Sequence, residues 1–182
     1  PTGQPPTCAW RSEAIARAAL EEVASCGGPA GAALFGADVL RAARLPARAE
    51  LFRLENKDVV LDGAHVASSV AGLLRELLDD GVGSGRCEAV FALGREKDAT
   101  AVLKALRGHV DRLHCTTSKE GPLATGEDLA RLGREIGIDA RDAGTPREAL
   151  EAALGGDAAW VLVLGSFYLA GEIRPPLMER AP

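Results

Sequence analysis

From residue 49 onward, short apolar runs alternate with stretches in which apolar residues recur every three or four positions. The runs predict strands at Ala49 to Leu54, Asp58 to Leu61, Cys87 to Leu93, Asp111 to Thr117 and Ala159 to Leu164, with a weaker one near Ile138 to Arg141. Three of them are continuously apolar, notably Val161-Leu162-Val163-Leu164, as strands covered on both faces are. Between them, Val66, Val70, Leu73, Leu74 and Leu77 make one helical stripe and Val102, Leu103 and Leu106 a second. A third comprises Leu129, Leu132, Gly133 and Ile136. Thr145-Pro146-Arg147-Glu148 predicts a helix start: Thr145 caps, Pro146 suits the first turn and Glu148 closes a capping box, with the helix reaching Leu154. This alternation implies an α/β fold, a mostly parallel sheet flanked by helices and joined by right-handed crossovers.

The first 45 residues read differently. A flexible Pro-rich start over 1–11 precedes a helix capped by Ser12 that runs through Ile15, Ala18, Ala19 and Val23 and ends at Gly27-Gly28-Pro29. Residues 30 to 44 are Ala-rich and suit a second helix, which Leu45-Pro46-Ala47-Arg48 interrupts. The main boundary is therefore expected there, dividing a helical segment at 12–45 from an α/β domain at 46–182.

Open parallel sheets take ligands beyond the carboxyl ends of their strands. That rule singles out Asp62-Gly63-Ala64-His65, Gly94-Arg95-Glu96-Lys97-Asp98, Ser118-Lys119-Glu120-Gly121 and Gly165-Ser166-Phe167-Tyr168. Asp62 and His65 can meet one ligand, the carboxylate accepting from a ribose and the imidazole orienting a carboxylate or amine. Alternatively, Asp62 caps the next helix and His65 is half exposed without a partner. Ser166 either meets an anion beside Gly165 or caps the short segment Phe167 to Ala170. It lacks the second glycine of a nucleophile elbow. Lys97 suits a phosphate contact or simple solvation, and Asp98 is placed to cap the helix at Ala99. Arg48 suits a phosphate or interdomain contact, or is a lone surface arginine. His114 reads as a strand residue and His109 as loop, both without an evident polar partner.

Composition narrows the classes of function. The 182 residues carry 21 Lys+Arg against 26 Asp+Glu, a formal charge of −5, and 47% are hydrophobic. That composition excludes a disordered chain. With only 4% aromatic residues and a deficit of basic ones, nucleic acid is not an expected partner. Cys8, Cys26, Cys87 and Cys115 form no Cys-x-x-Cys pair, so free thiols and a reducing intracellular compartment, cytoplasm or organelle matrix, are expected. No run of eighteen apolar residues and no signal-peptide pattern occurs, so no membrane partner is expected either. The first residue is Pro1, which suits a processed chain or a fragment. No phosphate-binding Gly-x-x-x-x-Gly-Lys-Ser/Thr loop stands in these residues, so a nucleotide would be held mainly by something else.

Four motifs in order resemble one family. Leu45-Pro46-Ala47-Arg48 is similar to a Pro-Gly-Arg connection, Leu61-Asp62-Gly63-Ala64-His65 to a Leu-Asp-x-Ala-His motif, and Glu96-Lys97-Asp98 to an Asp-Lys-Asp turn. Gly165-Ser166-Phe167-Tyr168 is similar to a late Gly-Ser-Leu-Tyr segment. Together they resemble the C-terminal domain of the folylpolyglutamate and dihydrofolate synthases, within the Mur ligase superfamily. The resemblance implies a Rossmann-like C-terminal domain, preceded by the helical end of a central domain. It further implies a reaction in which ATP phosphorylates a carboxylate of folate or dihydropteroate and the amine of glutamate attacks the acyl phosphate. Carried onto this sequence, Arg48 contacts ATP, Asp62 contacts its ribose, and His65 with Ser166 places glutamate. Lys97 and Asp98 are secondary candidates, and no residue is assigned as catalytic acid or base.

The resemblance also implies that ATP and Mg2+ are held mainly by N-terminal and central ligase domains absent from these residues, so the chain alone is expected to be inactive. In place of the bacterial His-Asn-Pro continuation stands His65-Val66-Ala67-Ser68-Ser69, closer to the eukaryotic version with Val66 for Thr. A second reading, favoured by Val66 and by the missing upstream residues, is a ligase-derived structural or interaction module inside a larger assembly. A free-standing nucleotide-binding regulator ranks last, for want of a phosphate loop.

Overall fold

A computed structural model describes residues 45–54 and 57–181, together with Ala18, Ala19 and Glu22, which are helical. The expected start at 1–11 and most of the helical segment expected at 12–45 lie outside the described residues, as do Cys8 and Cys26. In chain order the elements are β1 (Glu50–Arg53), β2 (Asp58–Leu61), α1 (Ala67–Asp79), β3 (Cys87–Phe91), α2 (Ala99–Leu106) and β4 (Arg112–Cys115). They continue with α3 (Gly126–Ile136), β5 (Asp139–Asp142), α4 (Pro146–Gly155), β6 (Trp160–Leu164) and α5 (Phe167–Arg180). The strands form one sheet in the order β1-β2-β6-β3-β4-β5. Only β1 is antiparallel to its neighbour, so the sheet is mostly parallel, as the alternation implies.

Central β6 explains why its sequence lacks any alternation of polar and apolar residues. Trp160, Leu162 and Leu164 pack with Leu73, Leu103 and Leu129 of α1, α2 and α3 on one face, whereas Val161 and Val163 pack with Leu150 and Ile173 of α4 and α5 on the other. Both faces are dry, so every position along the strand is apolar. Burying a side chain such as Leu162 stabilises the fold by about 1.5–3 kcal/mol. Caps set the helix starts: Asp98 accepts from the Ala101 amide at 2.9 Å, Thr125 from Asp128 at 3.1 Å, and Thr145 and Glu148 close the expected box.

Three sequence expectations change. Val66 is not part of the α1 stripe; it is the extended N-cap residue and 42% exposed, and Ser69 Oγ bonds its backbone. The segment after Ser166 is not confined to Phe167–Ala170; it continues to Arg180 through Pro175 and Pro176. Those prolines remove two N–H donors, but burial of Ile173, Pro176 and Leu177 holds the helix against the sheet. His114 is not without a polar partner: its Nε2 meets Glu88 Oε2 at 2.6 Å, and Arg141 Nε donates to its Nδ1 at 3.2 Å.

The connectivity also locates the rim where a ligand would sit. Parallel neighbours β2 and β6 lead into helices on opposite faces, β2 into α1 and β6 into α5, so the loops beyond their carboxyl ends diverge. Such a divergence is where sheets of this kind take ligands.

Candidate functional site

The rim begins with a strained loop. Ala47 and Ala49 have φ of 56° and 45°, the left-handed region that disfavours any residue with a Cβ. Three bonds hold them there: Ala47 N–H donates to Glu50 Oε2 at 3.0 Å, Gly63 N–H to the Ala47 carbonyl at 2.9 Å, and Ala49 N–H to Asp62 Oδ2 at 2.7 Å. Glu50 is itself gripped by Arg174, whose Nη2 lies 2.9 Å from Oε1 and whose Nε lies 3.0 Å from both oxygens. Between the two strained alanines, Arg48 is exposed and carries its guanidinium carbon 5.0 Å from the centroid of the Phe167 ring.

Asp62 is only 5% exposed. Its second oxygen accepts from Ala64 N–H at 2.6 Å, so the carboxylate ties the Arg48 loop to the turn after β2 instead of capping α1. Burial raises its pKa above the usual carboxylate range, against the opposing pull of those two amides and of Arg48. Each oxygen retains a second lone pair. His65 is half-buried, and its Nδ1 lies 2.8 Å from the Gly63 carbonyl. A carbonyl only accepts, so Nδ1 carries the proton and Nε2 is left without a partner among the described residues.

Beyond β6, Gly165 turns the chain at φ 103°, where a Cβ would run into the Ala92 carbonyl. Ser166 is 6% exposed, and its hydroxyl accepts from Tyr168 N–H at 3.1 Å, capping α5 while keeping its own proton free to donate. Phe167 then projects across the rim, 45% exposed. Its ring fills the space that a Cβ on Gly63 would need, and it meets the His65 ring edge-on with centroids 6.2 Å apart. Arg48, Asp62, His65 and Ser166 are thus gathered around one phenylalanine.

Lys97 and Asp98 follow β3, and among the described residues neither bonds to Arg48, Asp62, His65 or Ser166. Asp98 caps α2, and Lys97 Nζ lies 3.6 Å from Glu96 Oε1. Their turn is tied to the 121–124 loop through Arg95, whose amide bonds the Pro122 carbonyl at 3.0 Å and whose Nε bonds the Leu123 carbonyl at 2.6 Å. Among the described residues no group of three His, Cys, Asp or Glu side chains could hold a metal ion. A cavity of about 190 Å³ lies at the opposite end of the sheet, lined by Leu74, Leu77, Gly83 and Trp160. No helix among the described residues is long and apolar enough to cross a membrane.

Two features escaped the sequence reading. Phe167 stands where the Gly-Ser-Leu-Tyr pattern has leucine, and an exposed aromatic right after a strand-end Gly-Ser was the available signal. The Glu88–His114–Arg141 chain was signalled by a glutamate inside an otherwise apolar strand.

Comparison with known proteins agrees with the fold and with the family resemblance. No curated protein matches the chain. Among solved structures, folylpolyglutamate synthase of Mycobacterium tuberculosis, complexed with ADP and AMPPCP, superposes with a TM-score of 0.68 at 24% identity over 81% of this chain and 36% of that one. E. coli FolC in complex with DHPP and ADP gives 0.67 at 24% identity over 80% of this chain and 35% of that one. A bifunctional folylpolyglutamate synthase/dihydrofolate synthase with Mn, AMPPNP and L-glutamate bound gives 0.65 at 26% identity over 79% and 35%. The chain therefore spans about a third of the length of these structures. Residues 47–167, from the strained loop to Phe167, match the model of the glutamate ligase domain of Mur ligases, and it is to that family, with folylpolyglutamate synthases as its structural neighbours, that the chain belongs.

Proposed function

We propose that this domain forms one wall of the site of an ATP-dependent folate glutamate ligase, closing over a nucleotide held by preceding domains. The observation that carries the reading is the gathering of Arg48, Asp62, His65 and Ser166 around Phe167 at the ends of two adjacent parallel strands. In this reading the exposed Arg48 guanidinium meets the anionic nucleotide. Asp62 shares a spare lone pair with a ribose hydroxyl. His65 Nε2, an acceptor in the tautomer fixed by Gly63, and the Ser166 hydroxyl orient the incoming glutamate. ATP, when bound, supplies the phosphoryl group that activates the folate or dihydropteroate carboxylate. The domain's own residues bind, orient and exclude water, and such positioning accounts for a large share of the rate of a two-substrate reaction.

The test joins this chain to N-terminal and central ligase domains in one polypeptide. ADP should form only when folate or dihydropteroate and glutamate are both present, and Arg48→Ala or His65→Ala should lower that rate at least about 100-fold, the scale of misplaced reactants. Full activity in both variants refutes the residue roles. Absence of ATP and glutamate binding in the joined polypeptide would instead support the non-catalytic module.

A further inference from the structure

The Phe167 ring touches both the Arg48 guanidinium and the His65 ring, yet none of the roles above uses it. Its position is determined from several sides. Ser166 caps the helix that begins with it, and Gly63 lacks the Cβ that would collide with its ring. One face of the ring receives the Arg48 guanidinium, 5.0 Å from the centroid and within the range of a cation–π contact. The ring also meets the imidazole at 66° between planes, the edge-to-face arrangement that aromatic quadrupoles favour. Among the described residues Arg48 has no hydrogen bond or ion pair, so the ring, together with the attraction of the Asp62 carboxylate, orients it. Leucine, found here in the family pattern, would fill the volume but offers no quadrupole.

We propose that Phe167 is a positioning residue that holds Arg48 and His65 at a fixed separation on the ligand side of the rim, setting affinity for the nucleotide through Arg48. This inference rests on the ligase reading above. It predicts that the aromatic ring matters, and that bulk at this position is not enough.

The experiment has two arms, each comparing Phe167→Leu with Phe167→Tyr. Because the side chain is nearly half exposed, neither substitution threatens the fold. First, proton NMR of the 182-residue chain follows the His65 ring protons and the Arg48 Nε–H. Loss of ring current in Phe167→Leu should move both toward unstructured values, and Phe167→Tyr should keep them. Second, in the polypeptide joined to its upstream ligase domains, Phe167→Leu should raise the KM for ATP about three- to tenfold, with kcat within about a factor of two, and Phe167→Tyr should restore it. Unmoved NMR signals in Phe167→Leu overturn the inference, as does an active polypeptide whose KM ignores the substitution. A joined polypeptide that makes no ADP even with Phe167 intact overturns the ligase reading itself, a result distinct from either.

Discussion

His114 on β4 donates its Nε2–H to Glu88 on β3 across 2.6 Å, and the two side chains are 0% and 1% exposed. The tautomer follows from the other nitrogen: Arg141 donates to Nδ1, so Nδ1 is unprotonated and the imidazole is neutral. Burial lowers the pKa of His114, Glu88 pulls the other way, and Arg141 adds to the lowering. An unfolded chain binds a proton at this position below about pH 6.5, while the folded chain resists it, so stability is full above that pH and falls as the pH drops through it. Urea midpoints measured from pH 7.5 to 5 should decline accordingly. His114→Leu should flatten this dependence while removing about 3 kcal/mol at pH 7.5, because Glu88 is left buried with one partner fewer. A decline of unchanged slope in that variant would assign the titration elsewhere.

Asp62→Asn tests the carboxylate as a fastener. Asparagine offers one acceptor oxygen where Asp62 accepts from both Ala49 and Ala64. One buried amide loses its partner, and chemical denaturation should report a loss of about 1–3 kcal/mol. An unchanged midpoint would mean that the Arg48 loop is held without Asp62.

Ala47→Gly should act in the opposite direction. Ala47 stands at φ 56°, where the related pattern has glycine, and relief of the left-handed penalty should stabilise the chain by up to about 1 kcal/mol. Ala47→Val should destabilise it. A thermal melt that ranks the three residues in any other order contradicts the strained geometry.

The thiols of β3 and β4 should be inert in the native state. Cys87 and Cys115 are buried, which pushes the Cys87 pKa well up and that of Cys115 to about 12. Neither forms thiolate near neutrality. Mass spectrometry after exposure to a soluble alkylating reagent should find both unmodified until denaturant is added; labelling at native rates would show that the sheet opens readily.

Periodicity was enough for the strands and for three of the five helices, because apolar spacing reports directly on which face is covered. The full length of α5 was not legible: Pro175 and Pro176 carry a local stop signal that only burial of their neighbours overrides. Likewise, Arg48, Asp62, His65 and Ser166 were singled out by strand-end position or motif, whereas the Phe167 contact with Arg48 and the Arg174 grip on Glu50 depend on residues 119 and 124 positions apart meeting in space. Spacing along a chain carries no record of such meetings. The Asp62 carboxylate shows the same limit in reverse, since its residue type suggested a cap for the following helix, and only the fold directs it backward to Ala49.

One helix touches the Arg48 loop twice. α5 places Phe167 against Arg48 at its first turn and sends Arg174 to Glu50 two turns later. The last helix therefore ties down both ends of the loop, and its second tie, Arg174, lies seven residues beyond the family match. Trimming this domain to its recognisable core would strip the cover from Val161 and Val163 of the sheet and release the arm that its arginine stands on.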